Sequence, residues 1–237
     1  MNIAVILSGG SGIRIASSGS AVPKQYIKIE KKPIISYCIE QFSAHKKIDK
    51  IQIVAALNWQ NQIQKWLKTA DRQRKFNGFS IPGENRQLSI LHALEDIIKY
   101  AEESDYVMIH DAARPLLTEK QITECLEAAA GHDGVLPVIP IKDTIYQSKN
   151  KKTIDSLLNR DELFAGQAPE VFRLGTYYQA NKKLLPNQIL EITGSTEAAI
   201  RSGMDIVLIP GDERNFKITT KADLEQFRCI IEKRIER

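Results

Sequence analysis

Short apolar runs alternate with longer amphipathic segments along the whole chain, and this alternation constrains its fold more than any other feature. The short runs fit buried strands. The longer segments carry apolar residues every three or four positions, which fits helices that cover such strands. Repeated βαβ units of this kind predict an α/β fold: a Rossmann-like, mostly parallel sheet flanked by helices. Strands are expected at residues 3–7, 51–57, 78–83, 106–110, 134–141 and 204–210. Helices are expected at 33–45, from Asn58 as its cap to about Lys68, from about Gln87, and from Thr118 to about Ala130. Further helices are expected after Arg173 and at 195–202, the latter closed by Gly203. Thr220 with Asp223 resembles a capping box for a last helix. Trp59 and Trp66 fall on an apolar helix face and read as core.

One tract breaks the pattern. Residues 142–155 turn polar and lysine-rich around Ser148 to Lys152, too polar for core yet β-branched at the edges, which predicts a projecting hairpin. With 237 residues the chain has room for one large domain or two small ones. It reads as one domain over 1–237, with 142–160 as an arm that meets a partner.

Composition narrows the class. Hydrophobic residues at 43% and charged residues at 26% are ordinary for a globular protein. The net charge of +4 is mild, and its lysines and arginines are dispersed, which favours acidic small molecules over nucleic acid. Cys38, Cys125 and Cys229 are far apart and lack metal-ligand spacing, so they read as buried free thiols. The first apolar run has no basic segment before it and is too short for a signal peptide or a membrane span, which predicts a cytoplasmic location without membrane contact.

The first strand empties into Ser8-Gly9-Gly10-Ser11-Gly12. Glycines at 9, 10 and 12 let the backbone bend and bring its N–H groups close to an anion. Arg14 and Lys24 bracket this loop with positive charge, as a triphosphate requires. A P-loop would end in Gly-Lys-Ser/Thr, and a dinucleotide fingerprint would have glycine in place of Ile15, so neither applies.

The string Ser-Gly-Gly-Ser-Gly-x-Arg, followed by Pro23-Lys-Gln-Tyr26, resembles the opening of the cytidylyltransferases acting on 2-C-methyl-D-erythritol 4-phosphate and ribitol 5-phosphate. Further stretches extend the resemblance over nearly the whole chain and in the family's order. The segment from Gly83 to Ser89, with Arg86, is similar to the one that reads cytosine. His110-Asp-Ala-Ala-Arg-Pro115 resembles the segment whose aspartate holds the metal, which implies Asp111 as a ligand for Mg²⁺. Arg114, Thr144 and Arg160 stand where relatives bind the polyol phosphate, and Asn215 to Thr219 matches the segment supplying a second catalytic lysine, Lys217.

The resemblance implies a nucleotide-diphospho-sugar transferase type of fold, CTP and a polyol phosphate as substrates, and a homodimer. Arg14, Lys24 and Lys217 would stabilise charge on the α-phosphate while the acceptor phosphate attacks and pyrophosphate departs. 2-C-methyl-D-erythritol 4-phosphate is the expected acceptor, with ribitol 5-phosphate or another sugar-alcohol phosphate as the alternative. His92 and His110 read as core or edge histidines. The chain also departs from the family's pattern. Arg214 stands where relatives place an acidic residue, Ala168 replaces a threonine, and Gly194 replaces an aspartate near the acceptor. A nucleotide-sugar glycosyltransferase would be expected to carry Asp-x-Asp, whereas Asp111 is followed by two alanines. A nucleotide-binding protein without activity would have no need of all three cations.

Overall fold

The computed structural model describes residues 1–10 and 22–235. In chain order the elements are β1 (Asn2–Leu7), β2 (Lys28–Ile29), β3 (Lys32–Pro33), α1 (Ile34–Ala44), β4 (Lys50–Val54), α2 (Leu57–Ala70), β5 (Phe76–Ser80), α3 (Arg86–Ile97) and β6 (Tyr106–Asp111). There follow α4 (Glu119–Ala128), β7 (Gly134–Pro140), β8 (Ile145–Gln147), β9 (Ser156–Leu158), β10 (Phe164–Gly166) and β11 (Glu170–Arg173). The chain continues through α5 (Leu174–Lys182), α6 (Gln188–Glu191), α7 (Ser195–Arg201), β12 (Ile206–Pro210) and α8 (Lys221–Ile235).

Among the described residues, the main sheet runs β10-β7-β11-β6-β1-β4-β5, with β12 on the other side of β7. β1 pairs in parallel with both β4 and β6, β4 with β5, and β12 with β7. Two strands run against this direction. β11 is antiparallel to β6 and β7, and β10 is antiparallel to β7.

Both faces of the sheet are covered, and side-chain alternation divides them. Ala4 and Ile6 of β1 face one core with Ile35, Ile39 and Phe42 of α1, Ile63 of α2 and Ile122 of α4. Ile3 and Val5 face the other, with Ile90 and Leu94 of α3, Tyr177 of α5 and Ala198 of α7. Fully burying one such aliphatic side chain contributes about 1.5–3 kcal/mol. A third cluster packs α8, through Phe227 and Ile231, onto Ile29, Ile34, Leu116 and Ile218.

The expected helices and parallel strands are present, with four corrections. Leu57 does not end a strand but begins α2, and Ala56 rather than Asn58 occupies its N-cap position. β10 and β11 were not anticipated. Cys229 is exposed, whereas Cys38 and Cys125 are buried as expected. The tract after β7 does form a hairpin, β8 with β9, but its strands reach Leu158. Thr220 and Asp223 cap α8 reciprocally: the Asp223 amide donates to Thr220 Oγ1 at 3.2 Å, and the Thr220 amide donates to Asp223 Oδ2 at 2.8 Å.

Candidate active site

A cavity of about 620 Å³ opens outside the carboxyl ends of β1, β4, β5 and β6. This is where the strand order reverses about β1, the position at which open α/β sheets bind ligands. Gly9, Gly10 and Lys24 line one side; Gly83 to Arg86 and Ser89 line another; Asp111, Ala113 and Lys217 close the floor and far wall.

The two glycine walls owe their shape to close packing. A Cβ on Gly9 would sit 2.6 Å from the Pro82 ring, and one on Gly83 would sit 2.6 Å from the Leu88 side chain and 2.8 Å from its backbone. Gly10 meets nothing within 4 Å. Gln25 then ties the loop down, donating from Nε2 to the carbonyls of Ser8 at 2.6 Å and Gly10 at 2.8 Å. Ser8 is buried, and its hydroxyl donates to Val54 O at 2.7 Å instead of facing the cavity. Its role is to fix the end of β1. Gly12 and Arg14 lie outside the described residues.

On the opposite wall Asn85 caps α3 by accepting from the Leu88 amide at 2.8 Å. Ser89 Oγ donates to Asn85 O at 2.8 Å and accepts from the Gly83 amide at 2.9 Å. The segment over this wall is thus held by its own hydrogen bonds.

Asp111 is the electrostatic centre. Lys217 Nζ approaches Oδ2 at 3.0 Å, Arg86 Nη2 approaches Oδ1 at 3.3 Å, and Arg114 Nε lies 3.5 Å from Oδ2. Burial alone would raise its pKa, but Arg86, Lys217 and Arg114 together hold it far below the usual carboxylate range. Arg114 is nearly buried and donates from Nη1 to Asn215 O at 2.8 Å, so it supports this floor from beneath. Asn215 is buried and donates to Gln121 Oε1 and Ala168 O, while the Ile218 amide donates to Ala113 O at 2.9 Å. These bonds and the burial of Ile218 fix Lys217 at the cavity.

Two sequence-predicted residues stand elsewhere. Thr144 and Arg160 are exposed near the β8–β9 hairpin, and Arg160 Nη1 donates to Lys142 O at 2.9 Å. His110 is buried, with Nε2 3.1 Å from Arg114 O and its ring edge-on to Phe42, in keeping with a core histidine. His92 sits near the surface, with Nδ1 3.0 Å from Ile81 O. The carboxylates around Arg214 are engaged: Asp212 Oδ2 accepts from Arg214 Nη2 at 2.9 Å, and Glu213 pairs with Lys142.

The whole chain fits one family. Residues 2–233 match the model of IspD, the 2-C-methyl-D-erythritol 4-phosphate cytidylyltransferases. The chain belongs to the IspD family. It is 30% identical over 233 residues to a ribitol-5-phosphate cytidylyltransferase of Vibrio parahaemolyticus, covering 98% of this chain and 96% of that protein. Among solved structures, the 2-C-methyl-D-erythritol 4-phosphate cytidylyltransferase of Francisella tularensis is similar, with TM-score 0.77 and 26% identity over 96% of this chain and 98% of that one. The 4-diphosphocytidyl-2C-methyl-D-erythritol synthase of Anaerococcus prevotii shares the fold at TM-score 0.82 and 20% identity, over 98% and 96% of the two chains. As a member of the IspD family, the protein is a CTP-dependent nucleotidyltransferase.

Gln25 and Asn85 line the cavity and were missed as site residues. Gln25 and Asn85 lie inside the strings that carry the family resemblance, so the signal was present.

Proposed function

We propose that the protein transfers CMP from CTP to the phosphate of a sugar alcohol, releasing pyrophosphate, and that ribitol 5-phosphate is the acceptor. The convergence of Lys24, Arg86, Asp111 and Lys217 on one cavity carries the reading of the site. CTP lies there with cytosine against the Gly83 to Ser89 wall and phosphates along Gly9 and Gly10. Lys24 and Lys217, with Arg14, stabilise the charge that develops on the α-phosphate as the acceptor oxygen attacks in line. No side chain becomes covalent. The leaving pyrophosphate is countered by the same cations.

The donor set suits Mg²⁺. Mg²⁺ commonly takes one or two carboxylates together with substrate phosphates and water, and Asp111 presents one carboxylate to the cavity. Bound there, Mg²⁺ would neutralise phosphate charge; Lys217 and Arg86 hold the Asp111 carboxylate ionised and oriented.

The acceptor side is built by a second copy. Tyr146, Ile154 and Leu157 are exposed apolar residues on the hairpin arm, and their burial in a homodimer would carry Thr144 and Arg160 to a neighbouring site. The choice of ribitol 5-phosphate over 2-C-methyl-D-erythritol 4-phosphate rests on the relative that is 30% identical over the whole length, a ribitol-5-phosphate cytidylyltransferase. Release of pyrophosphate from CTP and Mg²⁺ with each acceptor tests this. Higher kcat/KM with ribitol 5-phosphate is expected, and a preference for the methylerythritol compound overturns the assignment.

A further inference from the structure

Glu170 is a buried carboxylate at the start of β11, in register with Ile109 of β6. A buried charge is costly unless it is paired and hydrogen-bonded, so its partners indicate what it holds. Oε2 accepts from Thr196 Oγ1 at 2.7 Å, and Oε1 accepts from Ser195 Oγ. Oε1 also lies 3.7 Å from Arg86 Nη2. Ser195 Oγ in turn accepts from Arg86 Nη1. The guanidinium on the cavity wall therefore sits between two buried carboxylates, Asp111 on one side and Glu170 with Ser195 on the other.

We propose that Glu170 is the positioning residue that fixes Arg86 on the cavity wall and clamps the first turn of α7 beside it. Asp111 alone does not fix the guanidinium plane, because Nε and Nη2 both address the single oxygen Oδ1, at 3.4 and 3.3 Å. The second anchor lies along the adjacent edge of the guanidinium, where Ser195 Oγ meets Nη1 and Glu170 Oε1 faces Nη2. α7 has no carboxylate of its own for this task. Glu197, in its first turn, accepts from the Thr193 amide at 3.0 Å and pairs with Arg201 at 2.6 Å. Tyr177 completes the clamp, its hydroxyl donating to Ser195 O at 2.9 Å while Gln87 donates to that hydroxyl at 3.1 Å. Glu170 thus joins the CTP wall on α3 to α7, and it does so without touching substrate.

This inference rests on the reading of the cavity as the CTP site, and Arg86→Ala separates the two. A large rise in the KM for CTP in Arg86→Ala supports that reading; no rise would overturn it, whatever Glu170 does. Glu170→Gln keeps the shape and removes the charge. We expect its KM for CTP to rise about tenfold, the scale for a lost hydrogen-bonded contact to a charged group, with kcat within about threefold. Returning a carboxylate from α7, in the double variant Glu170→Gln with Ser195→Asp, is expected to restore most of the affinity. Ser195→Ala removes the bridging hydroxyl without leaving a buried charge unpaired and is expected to raise the same KM by a smaller factor. Thermal melts report folding of each variant. A folded Glu170→Gln protein with wild-type KM, or a folded double variant no better than the single, overturns the proposal. If Glu170→Gln does not fold, an unchanged KM in Ser195→Ala overturns it.

Discussion

Lys217 Nζ lies 3.0 Å from Asp111 Oδ2, so the segment after β12 meets the end of β6 by an ion pair on the wall of the cavity. Lys24 reaches the same cavity from the turn after the glycine loop. Lys24→Ala and Lys217→Ala are each expected to lower kcat by about a hundredfold or more, the scale for removing one preorganised charge donor. Lys24→Ala should change the melting temperature little, since that side chain is partly solvated, whereas Lys217→Ala also takes a cation from the buried Asp111 and should lower it. Steady-state kinetics on folded protein checks this, and near-normal kcat in either variant removes that lysine from catalysis.

Much of this site was legible because it is built at strand ends. The run into Gly9, the Pro82-Gly83 break and His110-Asp111 each mark a point where an apolar strand stops and a ligand-facing loop begins. The antiparallel pair was not legible. β10 and β11 are three and four residues long, too short to show alternation, and Pro169 lies directly before β11. Only its register beside β6 brings Glu170 to Arg86. The cap of α2 was misplaced for a related reason: Asn58 has the right chemistry, but the helix already begins at Leu57.

Glycine is required for packing at some positions and for access at others. Gly83→Ala forces a Cβ against the Leu88 backbone at 2.8 Å and is expected to destabilise the protein by about 1–3 kcal/mol, as overpacking does. Gly10→Ala has open space and should leave the melting temperature unchanged while weakening CTP binding. Paired thermal melts and CTP titrations distinguish the two; equal melting temperatures would contradict the packing argument.

The cap of α8 gives a pH signature. Burial alone would raise the Asp223 pKa, but hydrogen bonds from Thr219 and Thr220 outweigh it and bring the value down to about 2. A folded pKa below the unfolded value of about 3.9 contributes stability that is present above that value and is lost as pH falls towards 2. Asp223→Asn should therefore melt below wild type at neutral pH, with the gap closing between about pH 4 and pH 2. A gap independent of pH would show that the carboxylate charge is not what caps the helix.

A shared active site predicts complementation between inactive subunits. Arg160→Ala and Lys24→Ala proteins, mixed under conditions where subunits exchange, should regain part of the lost activity. Mixed dimers would contain one site with both residues intact. Demonstrated exchange without recovery contradicts the contribution of Arg160 to a neighbouring site.

The most direct test of the proposed reaction is ³¹P NMR of the purified protein with CTP, Mg²⁺ and ribitol 5-phosphate. Transfer of CMP predicts loss of the acceptor monophosphate signal, appearance of inorganic pyrophosphate, and a coupled pair of diphosphate resonances from a CDP-alditol. An unchanged acceptor signal, both with ribitol 5-phosphate and with 2-C-methyl-D-erythritol 4-phosphate in its place, would contradict it.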